Sequence, residues 1–155
     1  MIKDIVSKLM DIYKSVLDVQ IEEKEFIKGN LINNLNLDSL VSLQIISEIE
    51  RKFGLIIEED ETAILLIDSP YYFIDYYILN KLKLIYENIL NMEIDTNQIS
   101  KGNLIRKYNI NIQNVMIIKK EIEKNFGIEI DDNTKIYDII NYPFLCLKRC
   151  QETWN

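Results

Sequence analysis

Histidine is absent from the 155-residue chain. That removes the commonest general base and every Ser-His or Cys-His nucleophilic pair, so no serine here is a hydrolase nucleophile of the usual kind. Cysteine is nearly absent as well. Cys146 and Cys150 are the only two, four residues apart, which is spacing for one helical face and not for a secreted disulfide framework; the expectation is free thiols. Glycine occurs four times and proline twice, so the few places where they stand punctuate the chain. Positive charge is in deficit, 18 Lys+Arg against 25 Asp+Glu with a pI near 4.7, and a surface of that sign repels nucleic acid. No apolar run reaches the roughly 20 residues needed to span a bilayer. Met1-Ile2-Lys3-Asp4 opens an amphipathic pattern instead of a signal peptide, so the expected location is cytoplasmic, away from any membrane. Asp131-Asp132-Asn133 has the look of a calcium loop, yet its sixth position is Ile136, where glycine is required, so no metal site is expected. Glu58-Glu59-Asp60-Glu61 reads as a solvated acidic run.

What the chain does contain is a repeat of itself at an offset of 73 residues. Tyr13 matches Tyr86, and Lys28-Gly29-Asn30-Leu31-Ile32 matches Lys101-Gly102-Asn103-Leu104-Ile105. The register holds through Ile45/Ile118, Glu48-Ile49-Glu50/Glu121-Ile122-Glu123, Phe53-Gly54/Phe126-Gly127 and Pro70/Pro143. Apolar residues recur at spacings of three and four, which is helical: Ile2, Ile5, Leu9, Ile12 and Val16 in one copy, Ile78, Leu82, Ile85 and Ile89 in the next. A glycine-containing loop follows each of these helices. A second helix is expected over 39–52 and 112–125, ended by the Phe-Gly pairs, where glycine suits a left-handed C-cap. Ile56-Ile57 and Ile128-Glu129-Ile130 are too isolated to build a sheet and read as loop anchors. Closing helices should start at Pro70 and Pro143. Since neither Gly nor Pro occurs after Pro70 until Gly102, the closing helix of the first copy is expected to run straight into the opening helix of the second, from about Pro70 to about Leu90.

Leu37-Asp38-Ser39-Leu40 stands between the loop and the second helix. As a bare tripeptide, Asp-Ser-Leu is an ordinary N-cap, and on that reading Ser39→Ala costs a cap's worth of stability, about 0.5–2 kcal/mol. In its setting of opening helix, loop, motif, Phe-Gly terminus, acidic run and proline-led last helix, the chain resembles the acyl and peptidyl carrier proteins. The likeness extends from Leu37 to Gly54 in the second helix and over about residues 1–77 for one module; Ser-Leu-Gln-Ile-Ile is similar to the discrete aminoacyl and peptidyl carriers of specialised metabolism.

The resemblance implies an all-α fold of two tandem small helical bundles joined by a continuous helix. Residues 1–77 would be a carrier module with phosphopantetheine covalently attached at Ser39, and 78–155 a degenerate module. Asp38 would orient the serine or the transferase's metal site. Leu40 and Leu43 would lie beside the arm on the partner-facing side, with Ile45, Ile46, Ile49 and Phe53 inward. Implied partners are a phosphopantetheinyl transferase, a loading ligase or acyltransferase, and downstream thioester-using enzymes; the protein itself would catalyse nothing. The second copy departs from the family pattern, because Asp38-Ser39-Leu40 becomes Asn111-Ile112-Gln113, which has no hydroxyl. The charge divides the same way. Residues 1–73 hold 7 Lys+Arg and 14 Asp+Glu, a net of −7, whereas residues 74–155 hold 11 of each. An acidic face steers a carrier toward basic enzymes. The competing reading is a non-catalytic scaffold with carrier-like folds and no prosthetic group.

Overall fold

The computed structural model describes residues 1–58 and 60–152, and among these it forms helices and no strand. The chain divides into two compact units, Ile2–Tyr76 and Tyr77–Asn155. In the first, α1 (Ile2–Leu17) and α4 (Ser39–Phe53) are the long elements, linked through α2 (Glu23–Ile27) and α3 (Leu31–Asn34) and followed by α5 (Glu61–Asp68). Then α6 runs without interruption from Pro70 to Leu90, closing the first unit and opening the second, as the absence of a breaker implies. The second unit continues with α7 (Thr96–Lys101), α8 (Leu104–Lys107), α9 (Ile112–Phe126), α10 (Asn133–Asn141) and α11 (Pro143–Glu152).

The sequence pattern underestimated the loops. What reads as one glycine-containing loop holds two short helices in each unit, α2 with α3 and α7 with α8. Helices of four to six residues do not stand on propensity. Each is held by one buried side chain: Phe26 in α2, Leu31 in α3, Ile99 in α7 and Leu104 in α8. Likewise α5 and α10 were not expected. Asp60 belongs to the acidic run yet caps α5, its carboxylate accepting from the Thr62 N–H at 2.8 Å; Glu58 and Glu61 are exposed, and Glu59 lies outside the described residues. Asp132, from the rejected calcium loop, caps α10 in the same way through Thr134. The isolated apolar runs do serve as anchors, Ile57 and Ile130 being buried, although Ile56 is 85% exposed.

Every described residue with positive φ has its counterpart 73 positions away: Asp18/Asn91, Gly29/Gly102, Asn30/Asn103, Asn36/Asn109 and Gly54/Gly127. Gly54 and Gly127 take the left-handed C-cap of α4 and α9, which a side chain would strain. Gly102 has a further reason to be glycine, since a Cβ there would overlap the ring of Tyr142.

The cores repeat too. Tyr13 is fully buried, packs edge-on to Phe26 with centroids 5.1 Å apart, and donates its hydroxyl to the Ile67 carbonyl at 2.5 Å. Tyr86 donates to the Ile140 carbonyl at the same distance. The Ile32 N–H reaches the Asp68 carboxylate at 3.0 Å, and the Ile105 N–H reaches the Asn141 side-chain oxygen at 3.0 Å. Both tyrosines therefore tie the opening helix of their unit to the end of α5 or α10. Burial raises the Tyr13 and Tyr86 phenols well above their ordinary value of 10, with Asp68 adding to the first and Cys146 to the second. A raised folded-state pKa means the folded chain holds the phenolic proton more tightly than the unfolded chain. Stability from this source is complete below pH 10 and is lost as pH rises beyond it. The urea midpoint should stay level between about pH 7 and 9 and fall steeply above about 10. In Tyr13→Phe and Tyr86→Phe the alkaline fall should be shallower, from a starting point about 1–3 kcal/mol lower because each leaves a buried carbonyl unpaired.

Candidate functional site

Three features set the start of α4. Asn36 adopts φ 52°, and the Leu37 N–H returns to the Ile32 carbonyl at 2.9 Å, which turns the chain out of α3. Leu37 is buried and anchors the turn. Asp38 then takes extended backbone angles, φ −80° and ψ 176°, and its carboxylate accepts from the Val41 N–H at 2.8 Å, while its own carbonyl accepts from Ser42 at 2.9 Å. Asp38 is thus the N-cap, and Ser39 is the first residue of the helix. The sequence-level assignment of a capping role to Ser39 is corrected by this geometry: the cap's worth of stability, about 0.5–2 kcal/mol, belongs to Asp38.

Relieved of capping, the Ser39 hydroxyl is exposed at the positive end of a 15-residue helix. First-turn N–H groups and the helix dipole favour a phosphodiester at that place. Leu40 is 67% and Leu43 44% exposed, both on the outward side, while Ile45, Ile46, Ile49 and Phe53 are buried as their spacing implies. Phe53 meets Phe73 of α6 edge-on with ring centroids 4.9 Å apart, which fixes the far end of α4. A shallow groove runs beside the leucines, formed by Ser15 and Val16 of α1 with Gln44, Ser47 and Glu48 of α4. Glu48 pairs with Arg51 at 2.6 Å, a hydrogen bond that holds its carboxyl below the usual range. An exposed hydroxyl, an apolar flank and an open groove fit a flexible arm esterified at Ser39.

The same seat exists in the second unit with isoleucine in place of serine. Asn111 caps α9 at φ −78° and ψ 165°, accepting from the Asn114 N–H at 2.9 Å, and Ile112 occupies the place of Ser39. Ile112 is 67% exposed, so it takes no part in a core. Val115, Ile118, Ile122 and Phe126 are buried beneath it. Cys146 and Cys150 lie on α11 and are not joined in a disulfide. No described helix is long and apolar enough to cross a membrane.

No curated protein and no solved structure matches the chain. Residues 7–62, which include Asp38, Ser39, Leu40 and Leu43, match the family model of the phosphopantetheine attachment site, so this part of the chain is similar to carrier proteins, whose prosthetic group is phosphopantetheine held covalently on a serine.

Proposed function

We infer that the chain is a carrier protein whose first unit holds acyl, aminoacyl or peptidyl cargo through Ser39 and presents it to partner enzymes of a biosynthetic pathway. The observation that carries this reading is the exposed Ser39 hydroxyl at the first turn of α4, behind an Asp38 cap and within the matched residues 7–62. The phosphopantetheine arm, once attached, supplies a terminal thiol that bears the cargo as a thioester. The chain's own residues do the positioning. Asp38 fixes the helix start at which Ser39 stands exposed, and the arm's attachment point is held by a helix instead of a loop. Leu40 and Leu43 offer an apolar strip beside it for an incoming enzyme, of the kind that forms the centre of an interface. With no histidine in the chain, removal of the Ser39 proton falls to the phosphopantetheinyl transferase, and loading falls to a ligase or acyltransferase. In the second unit Ile112 has no oxygen to esterify, and that unit is a degenerate carrier module over residues 78–155.

Incubation with coenzyme A and a permissive transferase should add one phosphopantetheine per chain, read by intact mass and mapped to the peptide containing Ser39. A wild-type chain left unmodified under conditions that convert a known carrier would overturn the reading and leave the scaffold alternative.

A further inference from the structure

Compared position by position, the two units share most of their core residues and differ at many exposed positions, those of α9 among them. Along the exposed side of α9 and the adjoining part of α6, three polar residues of the first unit give way to apolar ones, Ser39 to Ile112, Gln44 to Ile117 and Asp11 to Leu84, while Leu40 becomes Gln113. All three replacements are exposed, as is Met116 between them. Scattered apolar residues on a surface need no explanation, but exposed apolar residues that line one groove do. Leu84 and Ile117 line one groove between α6 and α9, with Lys81 and Glu121 at its rim. The charge around the patch changes in concert. Residues 104–126 carry five Lys+Arg and two Asp+Glu, where residues 31–53 carry two and three. Ser47 becomes Lys120, and Asn33-Asn34 becomes Arg106-Lys107, each of these cations being exposed. The outcome is a group of exposed apolar residues on elements whose charge is predominantly positive.

We propose that this face docks the acidic unit of a second copy of the same chain. The first unit presents the complementary surface. Ile56, Ile64 and Leu65 are exposed around the start of α5, and Glu58, Asp60 and Glu61 stand among them, also exposed. The entire net charge of −7 lies within residues 1–73. Opposite charge at the two borders speeds encounter and sets orientation, and the apolar centres supply the lifetime of the contact. The contact joins unlike surfaces, so two copies can satisfy both of their faces only by reciprocal pairing, and otherwise the assembly extends.

The apo chain suffices for the test, which makes it independent of Ser39 and of any prosthetic group. Sedimentation at low ionic strength should show reversible self-association that weakens as salt approaches about 1 M, where the screening length is about 3 Å. Ile117→Asp should raise the dissociation constant roughly tenfold or more by placing a carboxylate in the apolar centre. The decisive arm is complementation. A Lys120→Glu, Lys124→Glu chain and a Glu58→Lys, Glu61→Lys chain should each associate poorly alone. Mixed, they should form a one-to-one complex, because the first retains a native acidic face and the second a native basic one. All these positions are exposed, and circular dichroism verifies each fold. A wild-type chain that stays monomeric at every concentration in low salt would overturn the proposal, as would association that survives both charge reversals or a mixture that fails to pair.

Discussion

Ser39→Ala will abolish phosphopantetheine attachment completely while leaving the fold within a few tenths of a kcal/mol of wild type. The two halves of that expectation have separate causes. Attachment needs an oxygen that projects into solvent at a defined point. Ser15 lies in the wall of the groove, and Ser42 and Ser47 lie inside α4, so none of these stands at the helix start behind an acidic cap. Stability is spared because the side chain that satisfies the first turn is Asp38, bonded to the Val41 N–H, and because Ser39 is exposed. Alanine is also a good helix former at the first position. Asp38→Ala should behave oppositely, lowering stability by about 0.5–2 kcal/mol through loss of the cap, with Ser39 still present for modification. Intact mass paired with urea denaturation separates the two substitutions. Residual modification of the Ser39→Ala chain would show that another hydroxyl is the acceptor.

The long elements were legible from spacing because their energy is in their own stripe. α1, α4 and α9 bury residues three and four apart, and Gly54 and Gly127 announce where two of them end. The fusion of two helices into α6 was legible from an absence, since no residue after Pro70 breaks the pattern. The repeat also showed that all three motif residues are exchanged in the second unit, Asp38-Ser39-Leu40 for Asn111-Ile112-Gln113. The short helices were hidden for the converse reason. α3 exists because Leu31 is buried and Ile32 finds the Asp68 carboxylate 36 residues away, a partner that no local window contains. α5 was hidden by its own cap, because Asp60 sits in a run of four acids whose composition reads as solvated surface. The division of labour between Asp38 and Ser39 was also beyond the sequence, since both residue types cap helices and only backbone angles say which one does.

Converting Asn111-Ile112-Gln113 to the motif of the first unit, by Asn111→Asp, Ile112→Ser and Gln113→Leu together in a Ser39→Ala chain, should create an acceptor where none exists. The seat for a serine is already built at the start of α9. Asn109 and Asn36 share a left-handed backbone at φ 50° and 52°, and the Ile110 N–H meets the Ile105 carbonyl at 2.9 Å as Leu37 meets Ile32. The N-caps differ by 2° in φ and 11° in ψ, with φ −80° and ψ 176° at Asp38 against φ −78° and ψ 165° at Asn111. The cap bonds measure 2.8 Å and 2.9 Å. Ile112 is exposed, so its replacement opens no cavity, and Asp for Asn at the cap preserves the bond while adding a charge that the helix dipole favours. Stability should therefore change by less than about 1 kcal/mol. Intact mass should show one phosphopantetheine per chain, mapped to the second unit, where the Ser39→Ala parent shows none. Modification would demonstrate that the three motif residues are all that the second unit needs to become an acceptor. If the triple variant folds and stays unmodified, the transferase is reading the surface beyond the motif, where Ile117 and Lys120 replace Gln44 and Ser47, and the attachment site is wider than the three residues that mark it.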